Sequence, residues 1–402
     1  MAQYELTIDD EMLHDLFQND DGIARLLEAV LNQILEAQRT DHIKAMPHER
    51  SEERQGYRNG YRNREMKTRV GVLELAIPRV RDGSFSTELF QRYQRSEQAL
   101  VLALMEMVVN GVSTRKVRHI TEELCGTRFS KSTISELCRG LDPLVRQWNS
   151  RLFEMEYPFV LVDAMMFKAR EGGRVRSRSA HIAVGINQEG YREVLGLGLG
   201  DSESESSWAD FFRGLRNRGL QGVDLVVSDD HGGLVKAARK HFEGATWQRC
   251  QTHLKRNILN KVPRTQRDEL AAQLRTLFDA PDSKTARQLL DGILDKYGEK
   301  LPRAMSCLEQ GFEDAIAVMA LPNKYRQRLR STNMVERLIR EIRRREKVIG
   351  IFPNMESALR LLGAYLMERD EDWISGRKYF DMGDYWEFRT PETKREDHQA
   401  AN

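Results

Sequence analysis

Cysteine is scarce in this 402-residue chain: Cys125, Cys138, Cys250 and Cys307 are all there is, scattered along its length. Four dispersed thiols exclude a disulfide-stapled scaffold and predict a reducing compartment. Nowhere does an apolar run approach the ~18 residues that a membrane span requires, so no membrane partner is expected. The opening residues, Met1-Ala-Gln-Tyr-Glu-Leu-Thr-Ile-Asp-Asp10, are acidic and lack the basic-then-apolar order of a signal peptide. A cytoplasmic or nucleoid-associated protein is the expectation. With 40% hydrophobic and 31% charged residues, the composition suits a globular chain of two or three domains.

A formal net charge of +2 conceals strong segregation. Residues 1–36 hold nine acids against Arg25, whereas residues 324–347 hold ten Lys or Arg against three Glu. A second basic tract runs from Arg50 to Arg81. Such patches are the footprint expected for a polyanion partner and favour a nucleic acid over a merely solvated surface.

Residues 9–46 carry helical apolar spacing (Leu26, Leu27, Val30, Leu31, Ile34, Leu35) that suits packing on a second subunit, and Pro47 ends it. Gly56-Tyr-Arg-Asn-Gly-Tyr-Arg-Asn-Arg64 interleaves Tyr with Arg58, Arg62 and Arg64, and reads equally as a DNA arm or a basic hairpin cap. It leads into an expected strand pair, Lys67–Val70 and Val72–Ile77, turning near Gly71 and stopped by Pro78. An apolar helix over 98–110 precedes two short segments that open on Ser113 and Ser130, the first stopping at Gly126. They read as a helix-turn-helix that turns Lys131, Ser132, Thr133 and Ser135 to the groove.

From Phe159 the period changes. Strands are expected near 159–166, 180–186, 193–199 and 224–228, with helices near 208–218, 232–241, 250–261 and roughly 265–320. A three-strand meander, a helix, a parallel strand and further helices resemble a ribonuclease-H-like α/β core.

Two carboxylates stand at costly places in this pattern. Asp163 lies in the apolar run Phe159-Val-Leu-Val-Asp-Ala-Met-Met-Phe167, where the strand is expected to be running out. Asp229 follows the run Leu225-Val-Val-Ser228, with Asp230 a local rival that composition does not separate. A third acid, Glu336, lies on a helix beside the stripe Val335, Leu338, Ile339 and Ile342, flanked by Asn333, Arg340, Arg343 and Lys347. Asp229 and Glu336 are 107 positions apart (336 − 229), too far for a simple connection, which predicts a helical insertion. Three convergent acids suit two Mg²⁺ ions for phosphoryl transfer. Cys250 and His253 form a C-x₂-H pair, but zinc needs two more ligands and no matching pair stands nearby.

These pieces, in this order, resemble the Mutator-like bacterial insertion-sequence transposases over about residues 50–380. The matching stretches are Val162-Asp-Ala164, Arg192-Glu-Val-Leu-Gly-Leu197, Ser202-Glu-Ser204, Trp208, Arg218-Gly-Leu220 and Val227-Ser-Asp229. They continue with Gln248-Arg-Cys-Gln-Thr-His253, Ser331-Thr-Asn-Met-Val-Glu336 and Gly350-Ile-Phe-Pro-Asn354. Asp230-His-Gly departs from the many relatives with a glycine directly after the second acid. The resemblance implies a DDE triad of Asp163, Asp229 and Glu336 holding two Mg²⁺, with Mn²⁺ as a substitute, and Cys250 with His253 as an auxiliary active-site motif. It implies terminal inverted repeats and target DNA as partners, 3′-end cleavage and strand transfer, and a homodimer or higher oligomer in a bacterial cytoplasm.

The expected organisation is an acidic N-terminal dimerisation region (1–48), a basic hairpin arm (49–97) and a helix-turn-helix domain (98–150). The split core (151–255 and 326–380) then surrounds a helical insertion (256–325), ahead of a tail (381–402). Lys168, Arg249, Asn333, Arg337, Arg340, Arg343, Arg344 and Lys347 join the hairpin and helix-turn-helix residues as expected DNA contacts. The rival readings are a nuclease or resolvase of the same core, and a silent transposase-derived DNA-binding regulator.

Overall fold

A computed structural model describes residues 7, 8, 10, 13, 14, 16, 19, 21–87, 89, 96–126 and 128–389. Much of the expected helix before Asp21, and the end of the expected tail, lie outside them. The chain divides into two compact units, residues 1–140 and 141–402.

In the first unit, α1 (Gly22–Ile43) lays Leu27, Leu31 and Leu35 on a two-stranded ribbon, β1 (Arg58–Thr68) and β2 (Gly71–Val80), against Met66, Leu73 and Leu75. Strand β1 begins nine residues before the expected Lys67 and ends two short of Val70, whereas β2 runs past its expected bounds at both ends. Pro78 does not stop β2: it pairs with Tyr61 where the register shifts, and a two-stranded ribbon tolerates its missing N–H. Three short helices follow, α2 (Gln98–Val109), α3 (Thr114–Cys125) and α4 (Lys131–Cys138), around Leu100, Leu104, Val117, Phe129 and Ile134. Their ends are set as the sequence reads: Ser113 Oγ accepts from Lys116 N–H (3.2 Å), Ser130 Oγ from Thr133 N–H (3.0 Å), and Gly126 takes φ +58°.

The second unit is mixed α/β. Its sheet has the order β5-β4-β3-β6-β7: β3 (Phe159–Glu171), β4 (Arg174–Ile186) and β5 (Arg192–Gly200) run as an antiparallel meander, and β6 (Leu225–Ser228) and β7 (Thr246–Arg249) continue parallel to β3. Even-numbered β3 residues such as Val160 and Val162 meet α6 (Glu205–Asn217) and α7 (Gly232–His241) through Trp208, Phe212 and Leu234. Odd-numbered ones, Leu161, Met165 and Phe167, face α13 (Asn333–Ile349) and α14 (Met355–Ile374).

Between β7 and α13 the chain forms α8 (Gln251–Leu259), α9 (Arg264–Phe278), α10 (Ser283–Tyr297), α11 (Pro302–Ile316) and α12 (Asn323–Leu329). Helices α8 to α11 bury a core of their own, including Leu254, Leu274, Ile293 and Phe312. Helix α5 (Asp142–Asn149), expected with the helix-turn-helix segment, belongs to the second unit, where Asp142 accepts a two-point ion pair from Arg360 (2.6 and 2.8 Å). From 381 on, where a tail is expected, α15 (Gly383–Arg389) still packs, with Tyr385 only 1% exposed.

Candidate active site

The β3–β6 register pairs Phe159 with Leu225, Val160 with Val226 and Leu161 with Val227. Continuing it by two residues sets Asp163 opposite Asp229. Asp163 is therefore not near the end of its own strand, as expected, but where the neighbouring strand ends, since β3 runs on to Glu171. Burial pushes its carboxyl up to about 7; the Asp229 and Glu336 charges push the same way, against the Ala164 N–H (2.8 Å) and His253. Asp229 accepts from the His231 N–H (3.3 Å). Asp230 turns to an ion pair with Arg249 (2.9 Å).

The stripe Val335, Leu338, Ile339 and Ile342 is buried against the sheet and sets the rotation of α13. That rotation carries Glu336 to the seam beside Asp163 and the β7–α8 junction. Its Oε1 is buried without a hydrogen bond among the described residues, 3.3 Å from His253 Nε2.

The junction is tied to the start of α13. Cys250 N–H donates to Ser228 O (2.7 Å) and Gln251 N–H to Arg330 O (3.0 Å). Both the N–H and the hydroxyl of Thr332 donate to Cys250 Sγ at 3.4 Å. Burial pushes the Cys250 thiol up, but His253 and Thr332 outweigh it and hold it below its ordinary range. His253 is raised to about 9 by Cys250 first, against burial, with Glu336 and Asp163 adding to the rise.

Around this centre, Asn333, Arg337, Arg340, Arg344 and Lys347 recur at steps of four, three, four and three, so they share one exposed side of α13. Arg343 is exposed beside them, and Arg344 also pairs with Glu341 (3.2 Å). Lys168 is exposed on β3, near enough to act on Glu346 together with Arg343 and Lys347. Arg249 is placed differently from a DNA contact. It is 8% exposed, and its guanidinium lies against Gly311 of α11, where a Cβ would stand 2.7 Å from it.

In the first unit, Arg58 is engaged internally, donating to Thr40 Oγ1 (2.7 Å) and Ala45 O (3.0 Å). Arg62 is exposed and Arg64 half-buried. Lys131 and Ser132 are exposed, while the Ser132 and Thr133 hydroxyls lie 2.7 and 2.8 Å from Ser130 Oγ at the α4 cap.

Two contributors escape sequence reasoning. Thr332 is one, although its Ser-Thr-Asn run before an amphipathic helix is a visible signal. Glu203 is the other: burial raises its carboxyl, Asp229 adds to the rise and His231 opposes it.

Residues 1–376 match the family described as transposase, Mutator family. The transposase for insertion sequence element IS256 in transposon Tn4001 of Staphylococcus aureus is 45% identical over 389 residues, 95% of this chain and 100% of that protein. That for ISRM5 of Rhizobium meliloti is 45% identical over 374 residues, covering 93% of this chain and 94% of the relative. That for IS1081 of Mycobacterium tuberculosis is 37% identical over 364 residues, 90% of this chain and 88% of the relative.

Proposed function

The chain belongs to the Mutator family of transposases, and from that premise we propose that it is a DDE transposase with a ribonuclease-H-like core, acting on the terminal inverted repeats of an insertion sequence. What supports this reading is that Asp229, at the end of β6, and Glu336, on α13, lie near enough to Asp163 of β3 for their charges to raise it. Carboxylates gathered with so little water repel one another unless a cation or a proton lies between them. The raised Asp163 carboxyl fits a hard divalent cation, and Mg²⁺ needs few protein ligands because it keeps its waters.

Asp163, Asp229 and Glu336 would hold two Mg²⁺, or Mn²⁺ in their place. Bound there, the ions supply activation of the attacking oxygen and charge neutralisation at the leaving one. In the first step a water oxygen bonds to phosphorus and the 3′-oxygen leaves, taking up a proton. In the second, that 3′-hydroxyl attacks a target phosphodiester, so each bond formed to phosphorus replaces one broken. Arg337, Arg340, Arg343 and Lys347 hold the DNA backbone beside the acids, as cations on one helix side do for phosphates. Two ends must be brought together, so the acting form is a homodimer or a larger homo-oligomer.

Labelled terminal-repeat duplex with Mg²⁺ tests the triad. Asp163→Asn, Asp229→Asn and Glu336→Gln are expected to bind the duplex and lose cleavage to background, while Asp230→Asn still cleaves. Cleavage by Asp163→Asn at the wild-type rate would contradict the assignment.

A further inference from the structure

No second pair of zinc ligands stands near Cys250 and His253 in the sequence, but the fold brings Glu336 to them from 83 positions away (336 − 253). Cys250 Sγ, a His253 ring nitrogen and a Glu336 carboxylate oxygen lie within 4.8 Å of one another. Tetrahedral zinc, about 2.3 Å from sulfur and about 2.0–2.2 Å from nitrogen and oxygen, spaces its ligand atoms by roughly 3.3–3.6 Å. The His253 Nε2 to Glu336 Oε1 separation of 3.3 Å is already such an edge. The sulfur has to close by at most about 1.3 Å to complete the face.

The donor set is also right in kind. Mg²⁺ prefers oxygen, whereas thiolate with imidazole selects Zn²⁺, Co²⁺ and their relatives. One thiolate and one carboxylate balance the charge of a dication, and the fourth position is left to water. A cation here would satisfy the buried Glu336 Oε1, which has no hydrogen bond among the described residues. The Thr332 N–H and hydroxyl, both on Cys250 Sγ, supply the outer hydrogen bonds that fix a metal-binding sulfur.

We propose that Cys250, His253 and Glu336 form a second cation site, selective for thiophilic divalent ions of the Zn²⁺ class, which draws Glu336 away from Asp163 and Asp229. An ion that holds Glu336 Oε1 leaves the triad only the second oxygen of that carboxylate, so occupation by such an ion lowers the DNA chemistry. That consequence rests on the proposed function. The site itself does not.

Co²⁺ titrated into the full-length chain is the probe, read by absorbance. The expected result is one ion per chain with a thiolate-to-cobalt charge-transfer band, removed by added Zn²⁺. Cys250→Ser and His253→Ala are expected to lose the band and weaken binding by more than the roughly 10–100-fold typical of second-shell changes. Asp229→Asn and Cys307→Ala keep it. Absence of the band from the wild type, which needs no variant to fold, overturns the site, as does a band that survives Cys250→Ser.

In Mg²⁺-dependent cleavage, the Zn²⁺ concentration that halves activity is expected to rise at least about tenfold in Cys250→Ser. An unchanged value overturns the inhibitory role. A chain that shows the band yet never cleaves DNA upholds the site and removes the catalytic reading instead.

Discussion

Asp163 stands where a carboxylate is least at ease, and its cost to folding is measurable. Its folded-state pKa of about 7 lies above the ordinary value of 3.8, so without a cation the folded chain retains a proton that the unfolded chain loses. Stability is therefore forfeited as pH rises from about 4 to about 7. In metal-free buffer, Asp163→Asn is expected to stabilise the protein at pH 8, with an upper bound of about 4 kcal/mol, and to change little at pH 4. Urea melts at the two pH values check it, and added Mg²⁺ should stabilise only the wild type. Asp163 and Glu336 stand out in the sequence because a carboxylate in an apolar run or beside an apolar stripe is conspicuous, whereas composition does not tell Asp229 from Asp230. The direction of a guanidinium is not: Arg249 and Arg345 occur in the same basic company as Arg340, yet both are buried, Arg249 on Asp230 and Arg345 over the Tyr365 ring at 4.2 Å.

At the scale of the element, α13 is the helix whose sequence says most. Its apolar stripe, its exposed basic side and the place of Glu336 all follow from a period of 3.6 residues. Replacing Arg340 and Arg343 with Ala is expected to weaken binding to terminal and random DNA alike. The slope of log affinity against log salt should fall by about one for each phosphate that the variant no longer neutralises, and an unchanged slope would refute the assignment of these arginines to the DNA backbone. Within α4, Lys131→Ala is expected instead to relax the preference for terminal over random duplex; equal losses on both would count against a recognition helix.

Strand β7 is not legible in the sequence because Thr246-Trp-Gln-Arg249 is four residues long with Trp247 its one apolar residue, and its place depends on partners far away. Gln248 shows what holds it. Fully buried, it donates to Ala315 O (2.8 Å) and accepts from Val318 N–H (2.6 Å), closing the end of α11. Gln248→Ala leaves the Val318 N–H unpaired, while Ala315 O keeps its second donor, Gln251 Nε2 (2.8 Å). The change is expected to cost about 1–3 kcal/mol in a denaturation experiment.

In the second unit as a whole, distant segments converge on single polar anchors that a linear pattern does not reveal. Asp370 of α14, 3% exposed, accepts from Trp148 Nε1 (2.8 Å) at the end of α5 and Val194 N–H (2.6 Å) on β5, and pairs with Arg151 (2.8 Å). Asp370→Ala removes all three links and is expected to destabilise the chain by about 3–5 kcal/mol, read by chemical denaturation.

The meander and the helical run before Glu336 are readable because strand and helix periods differ. The division of the chain at residues 140 and 141, inside a segment expected to act as one, is not, because α5 matches its neighbours in composition but packs on α14. What separates a transposase from a nuclease of similar chemistry is the fate of the 3′-hydroxyl. Wild type and Asp163→Asn, incubated with labelled terminal-repeat DNA and a target plasmid in Mg²⁺ or in EDTA, measure it directly. The account predicts joined products that need both Mg²⁺ and Asp163; cleaved ends that are never joined, or joining that persists in EDTA, would contradict it.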